Sequence, residues 1–286
     1  MTVNLKGTLY LCATPIGNLE DITLRALRVL READLIAAED TRHTRKLLSH
    51  FDIHTPLTSY HEHNRKKKGE YLLGLLSSGK QIALVSDAGM PGVSDPGAEL
   101  AALALENGFG VVPVPGPSAG ITALVVSGLP AASFVFEGFL PSSPKARRDK
   151  LAGMSRERRT LILYEAPHRL KATLADIREV MGNRLMAVAR ELTKRHEEVI
   201  RGTVDEMLAL FQGKEPRGEF CLVLAGATGE ELPPEKAARI SIEPVEHVAL
   251  LEAEGVGLKE AIREVARLHG LPKRLVYRDV VLKKQE

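Results

Sequence analysis

Three polar stretches carry side chains that could move a proton, and each stretch follows an apolar run. They read AEDTRHT, SYHEHN and LYEAPHR in chain order. A carboxylate or an imidazole can take a proton from a substrate hydroxyl, and a nearby cation lowers the pKa of that hydroxyl. The sequence therefore predicts these catalytic or substrate-positioning residues: Asp40, Arg42, His61, Asn64 and Glu165.

Metal chemistry is not expected from these residues. His61 and His63 flank Glu62, but this order lacks the helical H-E-x-x-H spacing of a zinc site. The two cysteines, Cys12 and Cys221, lie in apolar runs, where a buried free thiol is the usual outcome. Two such residues predict neither a disulfide framework nor a zinc site, which favours a reducing compartment.

Three segments rich in glycine and proline follow other apolar runs. They are ATPIGNLEDIT (13–23), SDAGMPGVSDPG (86–97) and VPGPSAG (114–120). Glycine lets a backbone approach a ligand closely, and α/β sheets bind ligands at the carboxyl ends of their strands. We expect the second segment to be a ligand-binding loop. The alternative is a long crossover turn in which Asp95 caps the next helix.

Basic residues are concentrated in three places, although the net charge of the whole chain is only +2. They are the run at 65–68, the segment 143–159 and the C-terminal residues 258–286. Clustered lysine and arginine bind nucleic-acid phosphates, whereas the alternative for each run is a solvated helix face. The predicted RNA contacts are Arg65, Lys66, Lys145, Arg147, Arg148, Lys273 and Arg274.

The elements that must position these residues alternate along the first 225 residues. Continuous apolar runs predict strands buried on both faces; they lie at 8–13, 34–39, 81–87, 110–114, 133–138, 160–165, 185–191 and 220–225. Amphipathic stretches between them predict helices; one begins after an N-cap at Asn18, and others lie near 41–50, 96–107, 118–127, 144–155, 168–181 and 203–211. This rhythm is typical of an α/β fold.

The length of 286 residues suits two lobes and an appendage. We expect an N-terminal α/β lobe at 1–117, a C-terminal α/β lobe at 118–227 and a helical appendage at 240–286. In the appendage, Gly270 and Pro272 separate two predicted helices, an arrangement similar to a helix-turn-helix. No stretch reaches the roughly 18 apolar residues of a membrane span, so a cytoplasmic protein without membrane contact is expected.

The motifs taken together resemble the ribosomal RNA small subunit methyltransferase I family, within the tetrapyrrole-methylase-like methyltransferases. The stretches that carry the resemblance are ATPIGNL, EDTR-x-T, SYHEHN, SDAGMPGVSDPG, VPGPSA and LYEAPHR. The resemblance covers nearly the whole chain. It implies two α/β lobes with S-adenosylmethionine in the cleft between them. It also implies 2′-O-methylation of a cytidine in the decoding region of small-subunit (16S) ribosomal RNA by a homodimer. The assembled 30S subunit is the expected partner, and naked RNA is the alternative substrate.

Residues that would contact the cofactor follow from the same resemblance. Carried onto this sequence, they are Pro15, Asp87, Ala88, Gly89, Pro91, Gly92, Val93, Ser118, Ala119, Glu165 and Leu192. Methyl transfer needs alignment of the acceptor oxygen, and a base or a cation must activate a ribose hydroxyl. The possible bases are Glu39, Asp40, His61, Glu165 and Glu191, with Arg42, Arg190 and Lys194 as cations.

Three alternatives compete with this interpretation. A tetrapyrrole methyltransferase of the same fold would not need the basic segments or the C-terminal appendage. A non-catalytic RNA-binding or assembly protein would not need to bind S-adenosylmethionine. A nicotinamide oxidoreductase is disfavoured because the loop at 13–23 lacks the G-x-G-x-x-G fingerprint.

Overall fold

A computed structural model describes residues 7–228, 243–269 and 271–283. The chain divides into two compact units, Met1–Ala227 and Thr228–Glu286. The first unit contains two five-stranded sheets, and the second contains helices in its described part. The α/β class expected from the alternating pattern is confirmed.

The first sheet is parallel throughout and has the strand order β3-β2-β4-β1-β5. Its strands are β1 (Thr8–Cys12), β2 (Leu35–Ala38), β3 (Leu57–Ser59), β4 (Gln81–Val85) and β5 (Gly110–Val114). The connecting helices are α1 (Leu24–Glu32), α2 (Thr41–His50), α3 (Arg65–Ser77) and α4 (Ala98–Glu106). The neighbours β1 and β4 send their next connections in opposite directions along the sheet, which creates a crevice at their carboxyl ends.

The second sheet is mixed and has the order β6-β7-β10-β8-β9. Its strands are β6 (Phe134–Phe139), β7 (Thr160–Glu165), β8 (Leu185–Arg190), β9 (Glu198–Thr203) and β10 (Phe220–Leu224). The helices of this half are α5 (Ala119–Ser127), α6 (Pro144–Gly153), α7 (Leu170–Met181) and α8 (Val204–Gln212). Only β6 and β7 pair in parallel; β10 is antiparallel to both of its neighbours, β7 and β8.

Both sheets are covered on both faces, which explains the continuous apolar runs. In β4, Ala83 and Val85 join one core cluster, whereas Ile82 and Leu84 join the cluster on the opposite face. In the second sheet, α6, α7 and α8 cover one face and α5 packs on the other. Because successive side chains of a strand point to opposite faces, a strand covered twice must be apolar at every position.

Several local predictions need correction. The helix expected to begin after Asn18 is split into a 3₁₀ turn, Leu19–Asp21, and α1. Asn18 does cap the turn, accepting a bond from the Glu20 amide at 3.1 Å, but Thr23 caps α1 separately. The strands β3 and β9 and the helix α3 were not predicted. The two strands are sheet edges with polar residues, and α3 begins with a basic run that masks its helical spacing.

The second unit forms three helices in its described part: α9 (Pro244–Ala253), α10 (Leu258–Leu268) and α11 (Lys273–Lys283). The two helices predicted at the C-terminus are confirmed, and α9 was not predicted. A small apolar core, which includes Val248, Ile262 and Val276, holds the three together. Gly270 lies outside the described residues, as do 240–242 of the predicted appendage, and Pro272 directly precedes α11.

The predicted boundary between residues 117 and 118 falls in the loop between β5 and α5, and it stays a prediction. Within the described ranges, the helices are all too short or too polar to cross a membrane.

Candidate functional site

The loops that leave β1 and β4 are joined at the carboxyl edge of the first sheet. Thr14 and Gly89 exchange both backbone hydrogen bonds, at 2.9 and 3.0 Å. The hydroxyl of Thr14 donates to the carbonyl of Ser86 at 3.2 Å, and the amide of Ala13 donates to Val114 at 3.1 Å. This pairing holds the glycine-rich loop across the crevice.

The loop at 86–97 folds back on itself through two glycines. Gly92 and Gly97 have φ values of +84° and +151°, which other residues rarely adopt. A Cβ on Gly97 would meet the amide nitrogen of Gly92 at 3.0 Å, and a Cβ on Gly92 would meet that of Ala98 at 3.0 Å. The sequence thus places glycine where two backbone segments touch.

A cavity of about 390 Å³ lies between this loop and the second sheet. Such a volume falls in the usual range for small-molecule sites, about 300–1,000 Å³. The first half of the unit contributes Ile16, Glu39, Asp87, Ala88, Gly89, Met90, Val93, Ser94 and Asp95. Residues after β5 contribute Ser118, Ala119, Phe139, Tyr164, Glu165, Ala166, Pro167, Ala189, Leu192, Glu219, Phe220 and Cys221.

The charged side chains around the cavity are all acidic. Among the described residues that line it, none is lysine, arginine or histidine, whereas five are carboxylates: Glu39, Asp87, Asp95, Glu165 and Glu219. Burial and the nearby Asp95 raise the pKa of Glu39, and burial together with Asp87 raises the pKa of Asp95. Glu165 and Glu219 are paired with cations behind the lining, Arg169 and Lys194, so a cationic ligand would relieve the negative charge of the remaining three carboxylates.

Glu165 is buried and fully engaged by protein groups. Its carboxylate accepts a bond from the hydroxyl of Thr173 at 2.5 Å and from the amide of Ala166 at 2.8 Å. The guanidinium Nε of Arg169 lies 3.1 Å from Glu165 Oε1, the oxygen that accepts the Ala166 amide. Glu165 therefore supports the cavity wall and is poorly placed to take a proton from a substrate.

Tyr164 joins the second sheet to the start of α5. Its hydroxyl accepts the amide hydrogen of Gly120 at 3.0 Å, and its ring meets Phe136 and Phe139 edge to face. Burial raises the pKa of Tyr164 to about 12, so the phenol stays protonated at neutral pH. This bond places Ser118 and Ala119 at the cavity.

Asp40 and Arg42 lie beside the cavity lining but bind each other. Asp40 caps α2, accepts the Arg42 amide at 2.8 Å and pairs with two guanidinium nitrogens at 2.8 and 3.2 Å. These bonds to Arg42 hold the pKa of Asp40 well below its usual range. The amide of Asp40 donates to Asp87 at 3.0 Å, so Asp40 helps to orient the glycine-rich loop.

His61 and Asn64 form a closed turn outside the cavity. Asn64 accepts the His61 amide at 3.0 Å and donates its own amide to Ser59. The ring Nε2 of His61 lies 3.1 Å from Asn64 Nδ2. The structure therefore brings these two predicted residues together as a pair that shapes the loop before α3.

The predicted RNA contacts divide into exposed and buried groups. Lys66, Lys145, Lys273 and Arg274 are exposed, and Arg65 pairs with Glu99 at 2.5 Å. Arg147 is a correction, because its side chain is only 5% exposed and its Nε lies 2.6 Å from Asp176. Arg148 reaches the same carboxylate at 3.4 Å but remains 45% exposed.

Most of the predicted cofactor contacts line the cavity. Eight of them do so: Asp87, Ala88, Gly89, Val93, Ser118, Ala119, Glu165 and Leu192. Pro15, Pro91 and Gly92 lie in the same loops but are absent from the lining. The alternative interpretation of 86–97 placed Asp95 at the N-cap of α4. That placement is wrong, because Gly97 occupies the N-cap.

The family of the chain follows from its relatives. The model described as Tetrapyrrole (Corrin/Porphyrin) Methylases matches residues 8–208. A protein of Halalkalibacterium halodurans named Ribosomal RNA small subunit methyltransferase I is 54% identical over 272 residues, covering 95% of this chain and 94% of the relative. The relative of that name from Bacillus subtilis is 48% identical, covering 95% and 93%. The chain belongs to this methyltransferase family.

Solved structures of tetrapyrrole methylases share the fold. A uroporphyrin-III-C-methyltransferase from Thermus thermophilus is 25% identical, with a TM-score of 0.55 over 79% of this chain and 99% of that one. A cobalt precorrin-4 methyltransferase, at 16% identity, has a TM-score of 0.57 over 77% and 95%. The architecture of this family is thus confirmed for the first unit.

Some lining residues of the methyltransferase gave no signal in the sequence. Phe220 and Cys221 begin β10, the strand that enters the second sheet antiparallel to its neighbours. Nothing in an apolar run shows which of its ends reaches a ligand. Met90, Ser94 and Asp95 lie inside the glycine-rich segment, where the motif itself was the signal.

Proposed function

We propose that this chain transfers a methyl group from S-adenosylmethionine to the ribose 2′-hydroxyl of a cytidine in the decoding region of 16S ribosomal RNA. The support comes from relatives whose names state ribosomal RNA small subunit methyltransferase activity and from the cavity between the two sheets. The 2′-oxygen and the cytidine are what the family resemblance implies.

One observation of the structure carries the choice of methyl donor. The cavity is lined by carboxylates and, among the described residues, by no cationic side chain. A sulfonium and an amino group are cations, so S-adenosylmethionine suits this field. Nicotinamide dinucleotides and nucleoside triphosphates carry phosphates, which carboxylates repel. The electrostatics thus disfavour the oxidoreductase alternative independently of the missing glycine fingerprint.

The residues present are suited to hold this donor. The backbone at 87–89 and the start of α5 at 118–119 line one side, and Leu192 lines another. Small residues there permit close approach of a nucleoside to the backbone. When bound, S-adenosylmethionine supplies an electrophilic methyl group. The protein itself contributes orientation and exclusion of water by the apolar wall of Ala189 and Phe220.

Two features support the proposed partners. Exposed lysines and arginines at 66, 145, 273 and 274 would contact ribosomal RNA phosphates. Ile121 and Val125, one turn apart on α5, expose apolar side chains by 46% and 71%, as a homodimer interface would require. A cytoplasmic location and the assembled 30S subunit as substrate belong to the same proposal.

The test combines binding and product analysis. Calorimetry should detect S-adenosylmethionine binding, and incubation with 30S subunits lacking the modification should add one methyl group to one ribose, mapped by mass spectrometry. A parallel assay with uroporphyrinogen tests the alternative substrate. Methylation of the tetrapyrrole and not of the RNA would overturn the proposal, as would failure to bind the donor.

A further inference from the structure

The rim of the proposed donor cavity carries an exposed aromatic side chain. Among the large apolar side chains that the described part of the chain leaves exposed, only Val93 and Phe139 line the cavity. Each of these two side chains is 57% exposed. Two such side chains at the same cavity mouth provide apolar surface for a ligand that approaches from solvent.

A bulge in β6 directs Phe139 to this rim. The pairing of β6 with β7 shifts its register between Phe136 and Gly138, so that Glu137 is an extra residue in β6. Gly138 has a φ of +64°, a conformation that favours glycine. Bulges of this kind bend a strand and change the direction of the side chains beside them. The backbone of β6 therefore sets the direction of Phe139, its last residue.

The bulge also lies against the glycine-rich loop. A Cβ on Gly138 would meet Ser94 Oγ at 3.1 Å, so β6 and this loop approach each other closely there. Val93 directly precedes Ser94, and Phe139 directly follows Gly138. Both halves of the first unit thus contribute an exposed apolar side chain to the same part of the rim.

Tyr164 supports the ring of Phe139 from the protein side. The centroids of the two rings are 5.6 Å apart, and the ring planes meet at 64°. Tyr164 is itself held by its hydroxyl, which accepts the amide hydrogen of Gly120 at 3.0 Å. Because Phe139 is supported in this way before a ligand arrives, less conformational entropy is lost when a second ring stacks on it.

We propose that Phe139 is the platform on which the base of the acceptor nucleotide stacks, while the ribose of that nucleotide faces the donor cavity. This inference rests on the proposed function, because it assigns a contact to the RNA substrate of the same reaction. Unpaired RNA bases are commonly held against aromatic rings. Such stacking tolerates every base, so Phe139 would hold the nucleotide in place without selecting cytidine.

The charges next to the ring favour a nucleotide over a purely apolar ligand. The helix α6 follows β6 after a short loop; its Lys145 is exposed, and Arg148 is 45% exposed. Glu137, the extra residue of the bulge, pairs with Lys150 at 2.7 Å and thereby ties α6 to β6. Phosphates on either side of the stacked base would bind Lys145 and Arg148, whereas the carboxylates of the cavity would repel them.

The other exposed aromatic side chains in the described residues are less suited to this role. Tyr71, Phe134 and Tyr277 are absent from the cavity lining. The ammonium of Lys68 lies 5.0 Å from the centre of the Tyr71 ring, so that ring already has a partner. Phe134 begins β6, the strand that Phe139 ends, and is 37% exposed. It therefore provides a matched control.

The first experiment compares Phe139→Ala with Phe134→Ala. In Phe139→Ala, kcat/KM for methylation of 30S subunits should fall about tenfold or more, while calorimetric affinity for S-adenosylmethionine stays within about threefold. Phe134→Ala should keep the wild-type kcat/KM. A near-normal kcat/KM in Phe139→Ala would overturn the platform. An equal loss of donor affinity would place the ring in the donor site and would also overturn it.

The second experiment separates stacking from apolar packing. Phe139→Tyr and Phe139→Trp keep an aromatic ring and should stay within about threefold of the wild-type kcat/KM. Phe139→Leu keeps apolar volume without a ring and should lose as much kcat/KM as Phe139→Ala. Phe139→Leu also replaces Phe139→Ala if the alanine variant unfolds early in urea. Wild-type kcat/KM in the leucine variant would show that a ring is not needed and would overturn stacking.

The two proposals fail separately. Wild-type enzyme that does not methylate 30S subunits overturns the proposed function. Wild-type enzyme that does so while Phe139→Ala and Phe139→Leu remain normal overturns only the role of Phe139.

Discussion

The two halves of the first unit line the same cavity in different ways. The parallel sheet contributes Glu39, Asp87 and Asp95 together with the backbone of the glycine-rich loop. The mixed sheet contributes mostly apolar or engaged side chains, such as Ala189 and Phe220. Proton transfer and charge stabilisation need ionisable side chains, whereas the fit of a ligand depends on the shape of the walls. We therefore expect the first half to supply the ionisable groups of the site and the second half to shape the cavity.

The largest effect on stability is expected in the second half. Arg147→Ala leaves the carboxylate of Asp176, whose side chain is 8% exposed, without its closest cation, and should destabilise the protein by about 3–5 kcal/mol. Arg148→Ala, at the exposed partner of the same carboxylate, should cost under about 1 kcal/mol. Urea denaturation measures both. Similar losses of unfolding free energy in the two variants would show that burial does not determine how much each arginine contributes to stability.

Backbone shape is the next feature to test, in the first half. Gly97→Ala forces a φ of +151° on alanine and should cost about 1–3 kcal/mol. Because the loop at 86–97 lines the cavity, affinity for S-adenosylmethionine should fall at least about tenfold in calorimetry. Gly153→Ala is the control, since a Cβ there meets nothing within 4 Å. Unchanged donor affinity in Gly97→Ala would mean that the loop does not form the donor site.

The apolar wall of the second half can be altered without any change in charge. Ala189→Leu and Ala187→Leu both enlarge a buried side chain of β8, and each should cost about 1–3 kcal/mol. Only Ala189 lines the cavity, so only Ala189→Leu should weaken donor binding, by about tenfold. Calorimetry on both variants decides the matter. Equal donor affinities of the two variants would show that the second sheet does not contact the donor.

The smallest effect separates charge from shape at Glu39. Burial raises the pKa of Glu39, so its folded form binds protons more tightly than its unfolded form. Its contribution to stability is therefore greatest below its unfolded pKa and is lost as pH rises through the folded value. Glu39→Gln should reduce this loss of stability with rising pH and should raise the free energy of unfolding by less than about 1 kcal/mol at pH 7. It should also bind the donor about threefold more weakly.

Denaturation curves between pH 4 and pH 8, paired with calorimetry, measure both effects of Glu39→Gln. A variant that is less stable than wild type at pH 7, or that binds the donor better, would contradict the expectation that carboxylates of the first half attract the donor.

Much of the fold was predictable because the central strands of each sheet bury both faces. In the run QIALV the four residues after Gln81 are all apolar and buried, and this pattern predicted β4 correctly. The edge strands β3 and β9 were not predicted, because an edge strand tolerates polar residues that interrupt the apolar run. The N-cap at Asn18 was found, but a turn of 3₁₀ helix and a helix share similar spacing over a few residues.

The sequence by itself determined the family and the loops that line the cavity, because glycine and proline are required wherever a backbone bends tightly or approaches a ligand. It could not decide which charged side chains are available. In the sequence, Arg147 and Glu165 resemble residues that could bind RNA or take a proton. In the structure, Arg147 is paired with Asp176, and Glu165 accepts a hydrogen bond from Thr173. Asp95, by contrast, resembled a helix cap and instead lines the cavity between the two sheets. Availability depends on partners distant in the chain, and only the tertiary structure brings those partners together.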